Sequence, residues 1–274
     1  MKIFISTDIE GIGCVVRSEH SAVSGREYSE ARRWMTMEVN AAVRAAFDAG
    51  AVEVVVADGH NVGLNLLCEQ LDERAVLISG SPRPLSMMEG IGREFDAAFL
   101  MGYHAMAGTA DGTICHIFHG RIAEVTINGT TVGEIGISAM LAGFFNVPVA
   151  LVSGDEACAA EARRLLGDVE TAAVKRGIGA YAAACRHPAR CREIIHQAAA
   201  RALARLHGFA PFDVGRPVRL TVRFTTASGA DRALRMPGTQ RTGGCTVGWE
   251  GENAMEAFKA FNTMADLAEM VPFI

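Results

Sequence analysis

The chain has 274 residues, long enough for a full hydrophobic core in one α/β domain or in a main domain with a smaller appendage. Half of it is hydrophobic and 21% is charged, which argues against disorder, and a net charge of −5 without any stripe of Lys and Arg argues against nucleic acid as a partner. Seven scattered cysteines with no CxxC pair do not make a disulfide framework, and only four apolar residues precede Asp8, too few for a signal-peptide core, so the expectation is a cytoplasmic protein.

In chain order, residues 3–5 form an apolar strand, 29–49 a helix closed by Gly50, "VEVVVA" a second strand, 75–78 a third and "DAAFLM" a fourth. That rhythm predicts a mostly parallel sheet covered on both faces. "EVTINGTTVGE" places two alternating runs around Asn128-Gly129 and predicts an antiparallel hairpin insert. The next twenty residues, "IGISAMLAGFFNVPVALVSG", carry no charge. Asn146 and Pro148 split them into a buried helix ending near Phe145 and a buried strand over 149–152, in preference to a membrane span.

Helices follow over 157–166 and 188–207, the second with Pro at its start and Gly208 just past its end. "VRLTVRFT" returns to period two, "MPGTQRTGGCTVGWEG" reads as turn and strand, and 253–270 as a closing amphipathic helix. The predicted fold is a three-layer α/β/α arrangement with a mostly parallel sheet, a hairpin insert and a smaller α+β C-terminal part. It divides into 1–155 and 156–274, with the boundary open and a single intertwined unit as the alternative.

The acids and histidines fall at strand ends. The first strand runs into Asp8-Ile9-Glu10-Gly11, "VEVVVA" into Asp58-Gly59-His60, and "DAAFLM" into Gly102-Tyr103-His104. In a parallel sheet these carboxyl ends share one edge, the crevice where open α/β proteins bind ligands. Asp8 and Glu10 stand at i and i+2 and leave an extended chain on the same face. Glu134 adds a third carboxylate at the mouth of the buried helix.

Each residue also has a local explanation: a turn or helix cap for the first pair, a hydrogen-bonded surface residue for each histidine, a favourable helix N-terminal acid for Glu134. Taken together, three carboxylates and two imidazoles exceed what one tetrahedral catalytic zinc takes. Two dications against three carboxylates leave one positive charge, enough to hold a bridging hydroxide as nucleophile.

"STDIEGIG", "ADGH", "GYHAMAGT", "GTICH" and "NGTTVGEIGIS", continued by "VPVALVSGD", "TAAVKRGIG" and "MPGTQRTG", resemble the zinc-dependent D-aminopeptidases of the bacterial dipeptide-transport operon type over nearly the whole chain. The resemblance implies a cytoplasmic metallopeptidase with two Zn2+ per subunit, acting on short peptides with an N-terminal D-residue such as D-Ala. It also implies a homodecamer of two five-membered rings around a chamber. Carried over by motif, the zinc ligands are Asp8 (bridging), Glu10, His60, His104 and Glu134, and the catalytic histidine is His116. "GTADGTICH" is one residue longer than in the founding member, which makes Cys115 and His119 rivals of His116. The competing readings are a dinuclear amidase or phosphoesterase and a non-catalytic, ring-forming peptide-binding protein.

Other polar residues read as structural. Cys115 and His116 are neighbours on an extended chain and point to opposite faces, so they form no dyad. Asp155 reads as a helix cap. Cys185, His187 and Cys191 lack a fourth ligand for a structural zinc. Lys175 and Arg176 read most simply as solvated.

Overall fold

The computed structural model describes residues 1–270. Its main sheet has seven strands: β1 (Lys2–Thr7), β2 (Glu53–Asp58), β3 (Val76–Ile78), β4 (Ala97–Met101), β7 (Val149–Asp155), β8 (Glu170–Gly179) and β9 (Ala182–Cys185), in the order β3-β2-β1-β4-β7-β8-β9. All pairings are parallel except β8 with β9. A second, antiparallel sheet joins β5 (Ile122–Ile127) and β6 (Thr130–Val132) to β10 (Val218–Phe224), β11 (Thr239–Gly243) and β12 (Thr246–Gly251) in the order β11-β12-β10-β5-β6.

Successive side chains of a strand leave on opposite faces, and β1 shows what this does. Ile3 and Ile5 pack under α2 (Tyr28–Asp48) and α5 (Pro188–Ala204), against Met35, Val39, Ile195 and Ala198. Phe4, between them, joins the opposite core with α3 (Glu134–Phe144), α4 (Glu156–Leu166), α7 (Ala254–Glu269) and the inner face of the second sheet. Two shorter helices, α1 (Ser18–Ser21) and α6 (Ala227–Ala233), complete the α-helices among the described residues. The mostly parallel, helix-covered sheet expected from the sequence is present.

The hairpin turns through Asn128 and Gly129 at φ values of 48° and 83°, the doubly positive geometry that an Asn-Gly pair favours. Its partner is not the parallel sheet: β5 pairs with β10, Ile127 opposite Leu220. Residues 122–132 therefore share a sheet with strands about ninety residues later in the chain, while 156–204 pack against the first sheet.

The uncharged stretch 135–154 splits as expected into α3 and β7, and among the described residues no helix is long and apolar enough to cross a membrane. Asp155 caps α4, its Oδ1 accepting from the Cys158 N–H at 2.8 Å. Helix α5 stops at Ala204, earlier than expected, because the backbone of Arg205 leaves helical geometry at φ −133°, where its guanidinium binds Asp168 and Glu170.

The larger difference lies in 170–185, which the sequence does not mark as strand and which forms β8 and β9. With it Lys175, expected in solvent, is 1% exposed.

Candidate metal centre

The site grows out of the carboxyl edge of the main sheet. Asp8 follows β1, His60 follows β2, His104 lies three residues past β4, and Glu134 opens α3. Backbone bonds lash these exits together: the Asp8 N–H donates to the Met101 carbonyl at 2.8 Å, Gly59 N–H to Thr7 at 2.8 Å and Gly11 N–H to Gly102 at 2.7 Å. At residue 11 the chains approach so closely that a Cβ would sit 1.9 Å from the Tyr103 carbonyl oxygen, so only glycine fits.

His60 Nδ1 lies 3.2 Å from Asp8 Oδ1 and 3.0 Å from Glu10 Oε2, and His104 Nε2 lies 3.4 Å from Asp8 Oδ2 and 3.2 Å from Glu134 Oε1. Asp8 thus offers one oxygen to each imidazole, the disposition of a bridging carboxylate. The His116 ring stacks on that of His104, with centroids 4.1 Å apart and planes 10° from parallel. Asp8, Glu10 and Glu134 are each less than 5% exposed and His104 1%.

The outward nitrogen of every imidazole meets a backbone carbonyl, which can only accept. His60 Nε2–H donates to Ser21 O at 3.0 Å, His104 Nδ1–H to Ala105 O at 3.0 Å and His116 Nδ1–H to Ile114 O at 2.8 Å. Each outward nitrogen is thereby kept as N–H and the other nitrogen faces inward, the arrangement characteristic of metal-binding histidines. Glu10 Oε2 and His104 Nε2 are buried and have no aligned hydrogen-bond partner, although both lie within ion-pair reach of a site residue.

Burial alone would raise a carboxyl and lower an imidazole. At Asp8 burial pushes upward, but the bonds and charges of His104 and His60 outweigh it and hold the carboxyl well below its ordinary 3.8. Burial likewise opposes the charged forms of His60 and His104, yet Glu10 and Asp8 lift the first, and Glu134 and Asp8 the second, well above 6.5. Metal-free, the carboxylates are neutralised by protons on the rings, and a dication would take the place of those protons. Donor atoms of Asp8, Glu10 and His104 lie within 4.8 Å of one another, as do those of His104, His116 and Glu134, and the nitrogen-and-oxygen set suits zinc.

Of the rivals to His116, Cys115 turns its Sγ toward the Thr109 carbonyl at 3.3 Å, and His119 binds the Ala265 carbonyl of α7 through Nε2 at 3.0 Å. Asp8, His60, His116 and Glu134 line a cavity of about 800 Å³, whose lining also includes Arg83, Phe118, His119 and the Asn262, Asp266 and Glu269 stripe of α7.

Two further acids support the site, Glu161 outside every quoted motif and Asp58 within "ADGH". Glu161 accepts from Met106 N–H at 2.7 Å and Gly133 N–H at 3.1 Å, joining the segments that carry His104 and Glu134. Asp58 accepts from the N–H groups of Asn65 and Leu66 at 2.6 and 2.7 Å and shapes the loop after His60. The available signal for Glu161 was an acid one residue from Ala162 on the buried face of α4.

Fold and site together define an α/β protein with a buried carboxylate and imidazole cluster of the donor types that metal-assisted hydrolysis uses. The D-aminopeptidase family model (peptidase M55) matches residues 1–263, and the chain belongs to this family. It is 37% identical over 275 residues to a D-aminopeptidase of Bacillus subtilis (strain 168), with both chains covered completely. A solved structure of the Zn-dependent D-aminopeptidase DppA from Bacillus subtilis, described as a self-compartmentalizing protease, matches with a TM-score of 0.98 at 36% identity over all of both chains. The resemblance read from the motifs is borne out.

Proposed function

We propose that this chain is a zinc-dependent aminopeptidase that releases N-terminal D-residues from short peptides, with Asp8, Glu10, His60, His104 and Glu134 holding two Zn2+ ions and Asp8 bridging them. The observation that carries the reading is the convergence of five inward-facing donors from four chain segments on one buried point. When bound, zinc lowers the pKa of water into the neutral range and polarises the scissile carbonyl.

The chain's own groups supply the rest. The resemblance gives the proton-transfer role to His116, whose ring stacks on that of His104. The His116 Nδ1–H is fixed on Ile114 O, so Nε2 is the free nitrogen, which would take a proton from the attacking water and return it to the departing amine. The substrate's amino group sits against a carboxylate such as Glu10, which makes the site an exopeptidase. Burial of Glu134, Asp8 and His104 keeps water from competing for these charges.

The cavity also weighs against the phosphoesterase alternative. Asp8, Glu134, Asp266 and Glu269 give it acidic walls, and the one guanidinium among its lining residues, Arg83, already donates to the Asp58 and Ile78 carbonyls. The assembly and location that go with this reading are a decamer of two stacked five-membered rings in the cytoplasm, supported by the near-identical fold of a relative described as self-compartmentalizing.

The test is hydrolysis of paired D- and L-aminoacyl peptides before and after chelation, with zinc added back. The expected result is release of the D-amino acid, lost on chelation and restored by zinc. Turnover that ignores the chelator, or is confined to phosphate esters, would refute it.

A further inference from the structure

Among the described residues, the buried charged groups outside the ligand set include Glu38, Asp58, Asp155, Glu161 and Lys175. Lys175 differs from the others in what it binds. Its ammonium donates to three backbone carbonyls, those of Glu10, Ile12 (2.9 Å) and Val15, and no carboxylate among the described residues lies within ion-pair distance of it. All three belong to the loop that leaves β1 and carries Asp8 and Glu10.

A buried ammonium without a carboxylate partner is costly and is kept only where its hydrogen bonds are complete. Here they are: an ammonium has three N–H donors and no acceptor, and three carbonyls of one loop converge on it. Asp155, opposite Lys175 in the β7–β8 register, supplies compensating negative charge at longer range.

The loop so gripped is short and tightly wound. Ile12 N–H returns to the Ile9 carbonyl and Val15 N–H to that of Ile12, and Cys14 sits at a positive φ of 67°. On its other side, Gly11 N–H is tied to Gly102, two residues before His104.

We infer that Lys175 is a positioning residue for the metal centre, its ammonium acting as an internal cation that winds the Asp8–Val15 loop and thereby sets the spacing of the Asp8 and Glu10 carboxylates. It touches neither substrate nor metal and works through the backbone of Glu10. Arginine is a poor substitute, being planar and too long for the same three carbonyls, and neither glutamine nor methionine has three donors.

This inference rests on the metal reading above, and its test is metal binding, not turnover. Zinc affinity of metal-free wild type, Lys175→Gln and Lys175→Met is measured by competition with a chromophoric chelator, at a temperature where circular dichroism shows each protein folded. The dissociation constant is expected to rise about 10- to 100-fold for Lys175→Met, the range typical of lost outer-shell support, and by less for Lys175→Gln, which keeps two donors.

If methionine does not fold, the glutamine variant alone decides. A folded variant that binds zinc as wild type does, with only its melting temperature lowered, makes Lys175 a purely structural residue and overturns the inference while the metal reading stands. A wild-type protein that binds no zinc removes both.

Discussion

The loop from Asp8 to Val15 has two faces, and they are built on opposite rules. Its front presents Asp8 and Glu10 to imidazoles, with Glu10 Oε2 3.0 Å from the His60 ring and Asp8 shared between two rings. Its back presents backbone, and there Lys175 fills three carbonyls while Glu38 Oε1 accepts from the Gly13 N–H at 3.1 Å.

The two buried acids diverge accordingly. Asp8, surrounded by rings that can carry charge, is held below the ordinary range, whereas burial pushes Glu38 up to about 8. Immersion alone does not determine the charge of a carboxyl; its partners do. The difference teaches how a site can keep like charges crowded together: the front stays frustrated because the back is over-determined.

The strongest way to break this comparison is to empty the front. Asp8→Ala removes the oxygen offered to each ring, and kcat/KM for a D-aminoacyl peptide should fall at least about a thousandfold with loss of bound zinc in elemental analysis. His116→Ala tests the same face with every proposed ligand retained, though it removes the ring stacked on His104. It should lower kcat about 10²- to 10⁴-fold while zinc content stays at the wild-type level, and a parallel loss of zinc would move His116 into the ligand set.

Next in size is the response to pH. His60 and His104 have folded-state values raised well above 6.5, so the stability their pairs give the metal-free protein is complete below about 6.5 and drains away as pH rises through the raised values. Asp8, depressed below 3.8, gives stability that is present above 3.8 and is lost as pH falls toward its folded value. Thermal melts of the metal-free protein should therefore show this contribution at its largest between 3.8 and 6.5. Zinc should bind more tightly as pH rises, releasing protons that calorimetry in buffers of different ionisation enthalpy can count; binding without proton release would contradict the paired-ring picture.

The smallest effect belongs to the back of the loop. Glu38 has a folded value of about 8 against an ordinary 4.5, so the folded state keeps a proton that the unfolded chain gives up, and stability declines as pH rises between those values. Glu38→Gln removes that decline. It should be close to neutral near pH 5 and stabilising by about 1–3 kcal/mol near pH 8 in denaturant titrations. An equal effect at both pH values would show that Glu38 is ionised in the native state.

The sequence exposes the front more readily than the back. Strand-end acids and histidines are visible because parallel topology turns scattered tips into neighbours, and Asn128-Gly129 announces its own hairpin. Lys175 was hidden because "ETAAVKRGIG" is alanine-rich, without clean alternation, and contains a lysine, which ordinarily marks solvent. Its burial is a tertiary fact, set by carbonyls some 160 residues away. The pairing of β5 with β10 was equally out of reach, since no local pattern records which distant strand a hairpin will join.

That pairing has a consequence for how the protein is made. Glu134 follows a hairpin whose β-sheet neighbour, β10, begins at Val218, so a ribosome must deliver most of the chain before that hairpin joins its sheet, although Glu161 already ties Gly133 to Met106. Nascent chains arrested before that point should bind zinc more weakly than the finished protein, and equal uptake would disprove the dependence.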